Sequence, residues 1–101
     1  MQFETQPEDR TYLEASRDGA VMLELDRRGN VLRVQLEPAV SATWTAELLS
    51  ERIVRLHTLA LMRARCDERI RMNERGADMP PGEVYPSEAD IADYRARHIT
   101  F

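Results

Sequence analysis

Side chains that could do chemistry are few in this sequence, and they lie far apart. There are two histidines, His57 and His98, and a single cysteine, Cys66. None of them falls into the HxxxH, CxxC or HExxH frames that zinc sites use. Cys66 follows His57 by about two and a half helical turns, which is too far for a thiolate–imidazole pair within one helix. We therefore expect a protein that is not an enzyme, with no catalytic residues, no metal and no cofactor.

Arginines are the second group of side chains that could bind a ligand, and they make up all 14 basic residues of the chain. Guanidinium groups bind phosphate through paired hydrogen bonds, so a cluster of them could contact DNA. The arginines that could do so are Arg27, Arg28, Arg63, Arg69 and Arg71. Asp67, Glu68 and Glu74 are interleaved with the helical members, which favours a solvated helix end held by ion pairs. In a dimer, two such ends could still approach each other and form one patch.

Composition narrows the class of protein. A net charge of −4 over 101 residues argues against strong non-specific attraction to nucleic acid. The apolar content of 43% predicts a folded single domain, and the lone cysteine fits a reducing compartment. No apolar run approaches the ~20 residues that span a bilayer. We expect a cytoplasmic protein without a membrane segment.

Three short segments carry strand signals before the first long stretch without glycine or proline. Residues 11–16 form the first, while residues 20–25 and 31–36 alternate apolar and polar positions, which predicts one buried face for each of these two strands. Glycine-containing turns over residues 17–19 and 26–30 connect the segments. The pattern predicts an antiparallel, three-stranded meander.

A long helix follows, because neither proline nor glycine occurs between Pro38 and Gly76. Thr45 is a good N-cap, and Trp44 and Leu49 have the spacing of a hydrophobic staple, which makes the tryptophan a packing residue and not a ligand-stacking one. Gly76 predicts the end of the helix. Thirty helical residues run about 45 Å, whereas six-residue strands run about 20 Å. The helix should therefore overhang its sheet.

This overhang predicts a homodimer. One apolar stripe of the helix suits the sheet and contains Leu49, Ile53, Leu56 and Ala60. A second stripe finds no partner in a small sheet, so it needs a second chain. The residues expected at the dimer interface are Leu59, Met62, Cys66 and Ile70.

The final part of the chain holds a proline-rich connector and a short helix. The connector covers residues 79–86, and Ser87 with Asp90 forms a capping box for the helix. Apolar side chains of this part that could dock on a partner protein are Tyr85, Ile91, Tyr94 and Phe101. Packing of the same residues on the protein's own dimer fits the sequence equally well. We divide the chain into a flexible tail (1–10), a meander-and-helix unit (11–76) and the connector with its short helix (77–101).

This order of elements makes an α+β protein that resembles the YbaB/EbfC-like family of small nucleoid-associated proteins. The resemblance rests on residues 18–25, residues 29–36 and residues 47–54. It implies a three-stranded antiparallel sheet, a long helix and a YbaB-like dimer. Residues 47–65 are similar to an actinobacterial offshoot of that family that is associated with type VII (ESX) secretion.

Two functions follow from the resemblance. The first is a non-catalytic, cytoplasmic adaptor or chaperone-like protein that binds itself and a protein of a type VII secretion system. The second is DNA binding by a nucleoid-associated protein. DNA-binding members of the family carry a long helix before the sheet, whereas only residues 1–10, which are mostly polar, precede it here. We therefore expect a protein partner before nucleic acid, and no binding to membranes.

Overall fold

The computed structural model describes residues 10–101, so the predicted flexible tail over residues 1–10 lies outside the described residues except for Arg10. The described chain has an α+β fold. Its elements are, in order, β1 (Thr11–Ala15), β2 (Val21–Asp26), β3 (Val31–Leu36), α1 (Pro38–Thr43), α2 (Ala46–Glu74) and α3 (Glu88–His98). The predicted three-stranded meander, long helix and short final helix are confirmed.

The sheet has the order β1-β2-β3, and both neighbouring pairs are antiparallel. The turn between β2 and β3 is closed by Asp26, whose carboxylate accepts hydrogen bonds from the backbone N–H groups of Arg28 (2.8 Å) and Asn30 (2.9 Å). Gly29 follows with a φ of 90°, a conformation that L side chains rarely adopt. These contacts hold the hairpin tip in one shape.

Between the sheet and the long helix lies α1, which the sequence analysis did not predict. Pro38 stands in its first turn, where the fixed φ of proline suits a helix and its missing N–H is not needed. Val40 of this turn is buried in the core. The start of α2 is as predicted, because the Thr45 side chain accepts a hydrogen bond from the Leu48 N–H at 3.1 Å.

The core lies between α2 and the first two strands. Tyr12, Leu23 and Leu25 of the sheet are buried against Leu56 and Ala60 of the helix. All residues of β3, by contrast, are exposed, so the prediction of a buried face on this strand is wrong. A helix about 10 Å wide covers only about two strands at a spacing of about 4.8 Å. Since α2 packs across β1 and β2, β3 is left uncovered.

The end of the chain folds back onto its own core. Ile99 is buried, and Ile91, Tyr94 and Phe101 pack against the core cluster. The Phe101 carbonyl accepts a hydrogen bond of 2.7 Å from the backbone N–H of Arg17, which ties the last residue to the turn after β1. Of the two arrangements that the sequence leaves open, the structure has the terminal segment on its own protomer.

Candidate binding surfaces

The uncovered strand forms the first candidate surface, which we call the open face: Val31, Leu32, Val34 and Leu36. All four are among the exposed large hydrophobic residues of the described chain. The register places Val31, Val34 and Leu36 opposite Leu25, Leu23 and Val21, which are all buried. The strand β3 therefore carries apolar side chains like those of the core, but no helix covers them.

A bulge enlarges the open face. The pairing shifts between Glu24 and Leu25, because Glu24 is opposite Arg33 while Leu25 is opposite Val31. This shift leaves Leu32 as the extra residue of the pair, and a bulge of this kind increases the local twist of the strand. Leu32 is 51% exposed, so the bulge adds a large apolar side chain to the strand.

The predicted dimer-interface residues do not all reach a surface. Leu59 is 0% exposed and belongs to the core, and Cys66 is also buried. Their assignment to an interface is therefore corrected, because the sheet and the returning terminal segment already cover this stripe of α2. Met62 and Ile70 are half-buried and keep some surface.

Three of the four predicted docking residues pack against the protein's own core. Phe101 meets Trp44 edge-on, with 6.5 Å between the ring centroids, and the Arg52 guanidinium lies over both rings, at 4.3 Å from Trp44 and 4.9 Å from Phe101. Ile91 and Tyr94 pack on the core cluster, and Tyr85 is half-buried. Ile91, Tyr94 and Phe101 thus help to close the protein's own core, and docking of a partner on this segment stays a prediction. The interpretation of Trp44 as a packing residue agrees with this arrangement.

Glu14 connects the β1 edge of the sheet to α2 and α3, and the sequence analysis missed it; we call this edge, with Glu14, Arg63 and α3, the closed side. It is only 5% exposed, and its carboxylate accepts hydrogen bonds from Arg63 at 2.7 Å and from Arg95 at 2.8 and 3.1 Å. Arg63 also donates to the Leu13 carbonyl at 3.0 Å. In the sequence, a glutamate in an alternating strand indicates a side chain that faces solvent. Only the position of α3 in the fold reveals that this glutamate is buried and paired with arginine.

Tyr12 is a second buried polar contact between β1 and α2. Its hydroxyl donates a hydrogen bond to Asp67 at 2.8 Å, and Asp67 also pairs with Arg10 at 3.1 Å. Burial and the hydrogen bond to Asp67 raise the pKa of Tyr12, while Arg71 beside the phenol opposes the rise. The phenol is thus kept in its neutral form, which is the form that donates.

The five arginines predicted for DNA contact separate into two groups. Arg63 lies on the closed side with Glu14. Arg69 lies beside Cys66, where it opposes the rise that burial gives the pKa of the thiol. Arg27, Arg28 and Arg71 come together instead, on the side of the hairpin tip.

This second group lines a candidate surface that we call the arginine cleft: Arg27, Arg28, Arg65, Glu68 and Arg71. Its volume is about 340 Å³, and it lies between the β2–β3 turn and the second half of α2. Arg65 pairs with Glu68 at 2.9 Å, whereas none of the other three arginines forms an ion pair with any residue from 10 to 101. Arg65 is the member that sequence reasoning missed; no local signal marked it, because it lies about 120° around the helix from Arg71.

Residues 10–101 contain no group of three or more His, Cys, Asp or Glu side chains placed to hold a metal ion. No helix within the same residues combines the length and the apolar character needed to cross a membrane. In comparisons with known proteins, no family model, no curated protein and no solved structure matches the chain.

Proposed function

We propose that this protein is a non-catalytic binding module that acts as a homodimer through the open face. The observation that carries the proposal is β3, a strand of six residues that are all exposed although four of them are large and apolar. Contiguous apolar surface of this kind marks interaction sites in soluble proteins. Association of two copies would remove it from water.

The free edge of β3 supports pairing between strands. β3 bonds to β2 on one side, and no other strand of residues 10–101 adjoins it. Edge strands are normally protected by charge, proline or a covering element. Here Arg33 is the single charged residue of the strand, and it is already paired with Glu24 at 3.0 Å. Such an edge is a template for a second β-strand.

A two-fold axis at Val34 gives a self-complementary register. Antiparallel pairing of two β3 strands around this residue places Arg33 of one copy opposite Gln35 of the other, so no like charges meet. Val34 then packs against its own symmetry mate, and the two sheets become one sheet of six strands. An axis at Arg33 would instead place two arginines opposite each other, which is unfavourable.

The proposed cellular role is that of a cytoplasmic adaptor or chaperone-like protein associated with type VII secretion. Its support is the resemblance of residues 47–65 to the secretion-associated offshoot of the YbaB/EbfC-like family. The terminal segment packs on its own protomer, so we place partner binding on the dimer and not on that segment.

Light scattering at micromolar concentration tests the dimer. We expect twice the monomer mass for the natural chain, and a folded monomer for Val34→Asp, because an unpaired charge at the centre of the interface opposes association. Val84→Asp is the matched control: Val84 is 66% exposed but lies on the connector, so this variant should remain dimeric. A natural chain with the mass of a monomer would refute the proposal.

Copurification tests the adaptor role. The natural chain and Val34→Asp would be expressed with the same tag in an actinobacterium that has a type VII system, and the captured proteins would be identified by mass spectrometry. We expect a protein of the secretion system with the natural chain and less of it with the monomeric variant. Capture of no such protein by either chain would remove the adaptor role and leave the dimer standing.

DNA binding is a second candidate, and the arginine cleft is the observation that favours it. Arg27, Arg28 and Arg71 are available for phosphate contacts, while Arg63 is engaged by Glu14. A mobility-shift titration at low salt tests this role, with binding that falls steeply as salt rises. Absence of a shift at tens of micromolar protein would exclude this role.

A further inference from the structure

The arginine cleft has a defined shape on its hairpin side, because two independent contacts hold the β2–β3 turn in place. The Asp26 carboxylate binds the turn through the backbone N–H groups of Arg28 and Asn30. Hydrogen bonds with Asn30 keep the pKa of the Asp26 carboxyl below its usual value, although burial opposes this shift. The group therefore stays an anion that accepts the hydrogen bonds of the turn. Gly29 meets α2 directly: a Cβ atom at this position would lie 3.0 Å from Leu61 Cδ1.

The opposite wall is part of one helix face. Arg65 follows Leu61 by one turn of α2, and Glu68 follows Arg65 by a further turn. Arg65 and Arg71 are separated by about 9 Å along the helix axis. The contact between Gly29 and Leu61 thus sets the distance between the hairpin arginines and the helical arginines.

The charge of the cleft is strongly positive in a protein whose net charge is −4. Four guanidinium groups face one carboxylate, and that carboxylate neutralises only Arg65. Uncompensated arginines on two separate elements repel each other, and a bound anion removes that repulsion. Guanidinium groups donate paired hydrogen bonds in a fork that matches phosphate oxygens.

We propose that the arginine cleft binds the diphosphate group of a small molecule. A single phosphate group carries about −1.5 to −2 at neutral pH, which is less than the net positive charge of the cleft. The two helical arginines are also attached about 9 Å apart along the axis of α2, a spacing that suits two adjacent phosphate groups better than one. Two adjacent phosphate groups satisfy both the charge and the spread. This inference does not depend on dimer formation or on the adaptor role.

Isothermal titration calorimetry with inorganic pyrophosphate at low salt tests the site. We expect one pyrophosphate per chain, weaker binding of inorganic phosphate, and loss of affinity as ionic strength rises. Arg27→Ala with Arg28→Ala should weaken binding by at least about tenfold, because charge-assisted hydrogen bonds are removed. Alanine keeps the backbone N–H of residue 28, so the Asp26 turn is preserved.

The matched control removes two arginines elsewhere. Arg55 and Arg97 each pair with an acidic residue one helical turn away and lie outside the cleft. Arg55→Ala with Arg97→Ala lowers the net charge by the same amount as the cleft double variant. We expect pyrophosphate affinity within about twofold of the natural chain for this control, since its charges are distant and screened.

A variant that should strengthen pyrophosphate binding gives a second test. Glu68→Gln removes the only carboxylate of the cleft and frees Arg65, so it should strengthen pyrophosphate binding several-fold. Glu51→Gln is its control, because Glu51 pairs with Arg55 on the same helix but away from the cleft, and the net charge changes equally. We expect no strengthening from the control.

Three results would overturn the inference. The first is the absence of pyrophosphate binding by the folded natural chain at millimolar ligand and low salt. The second is equal weakening by the cleft and control arginine variants, which would indicate attraction by net charge alone. The third is binding of a DNA oligonucleotide that pyrophosphate does not compete for and that the cleft variants weaken, which would assign the cleft to nucleic acid.

Discussion

The two edges of the sheet differ in the partners that contact them within the chain. We call the edge at β1, with Glu14, Arg63 and α3, the closed side, and the edge at β3, with the open face and the arginine cleft, the open side. On the closed side Arg63 of α2 donates to Glu14 and to the Leu13 carbonyl, and Arg95 of α3 donates to the same glutamate. On the open side, within residues 10–101, β3 has no strand on its outer edge, its apolar side chains are exposed, and Arg27, Arg28 and Arg71 form no ion pair.

This contrast separates the features that stabilise the protomer from those that are available to bind. Leucine, valine and arginine occur on the open side and also in the core and on the closed side. Leu59 of the core and Arg63 of the closed side have their partners within the chain, and changing such residues should cost stability. Those on the open side have none in the described chain, and changing them should cost association or ligand binding while the protomer stays folded.

The largest expected effect is Leu59→Asp in the core. Leu59 is fully buried, so the variant places an unpaired carboxylate in the core. The cost should exceed about 5 kcal/mol, which is comparable with the whole stability of a small domain. We expect loss of the helical circular dichroism signal, whereas Val34→Asp on the open side keeps it. Equal loss in both variants would remove the distinction between the two sides.

Glu14→Gln should have the next largest effect. The neutral amide cannot accept charge-assisted hydrogen bonds from both Arg63 and Arg95, which hold α2 and α3 against β1. Because both arginines are partly exposed, we expect a loss of about 1–3 kcal/mol in urea unfolding. Asp93→Asn is the control, because Asp93 pairs with Arg97 and both side chains are exposed to solvent. This variant should lower the free energy of unfolding by less than about 0.5 kcal/mol. A cost for Glu14→Gln no larger than that of the control would contradict the anchor role.

Gly29→Ala tests the contact between the hairpin tip and α2. The substitution forces a side chain into a positive φ and brings its Cβ within 3.0 Å of Leu61. We expect a loss of about 2 kcal/mol. Gly19→Ala separates the two causes, because Gly19 also has a positive φ but nothing lies within 4 Å of its Cβ position. It should cost about 1 kcal/mol, the backbone part alone. Equal losses would show that the Leu61 contact carries no energy.

The smallest effect concerns alkaline pH. Burial and Asp67 raise the pKa of Tyr12 above its ordinary value of 10.0, so the neutral phenol is the form that the fold favours. Its contribution to stability is fully present below pH 10.0 and is lost as the pH rises through the raised pKa. The difference in urea midpoint between the natural chain and Tyr12→Phe should therefore shrink above pH 10.0. Burial also raises the pKa of Cys66, but this thiol is present in both chains, so its titration cancels in the difference. A difference that stays constant with pH would contradict the role of Tyr12.

Local patterns explain what could be predicted from the sequence. The period-two segments gave the strands, and Thr45 and Ser87 gave the starts of α2 and α3, because these signals act within a few residues. The exposure of β3 was missed, since alternation indicates an apolar face but not whether a helix is wide enough to cover it. Glu14 and Arg65 were missed because their partners, Arg95 and the hairpin tip, come from distant parts of the chain.

The most direct test of the open side is hydrogen exchange of backbone amides at several protein concentrations. In a dimer paired through β3, the outward amides of residues 31–36 donate to the second copy and become protected. We expect this protection to rise with concentration in the natural chain and to be absent in Val34→Asp, while residues 11–15 on the closed side stay unchanged. Fast exchange of alternate β3 amides at every concentration would contradict the account, because it would mean that this edge stays unpaired.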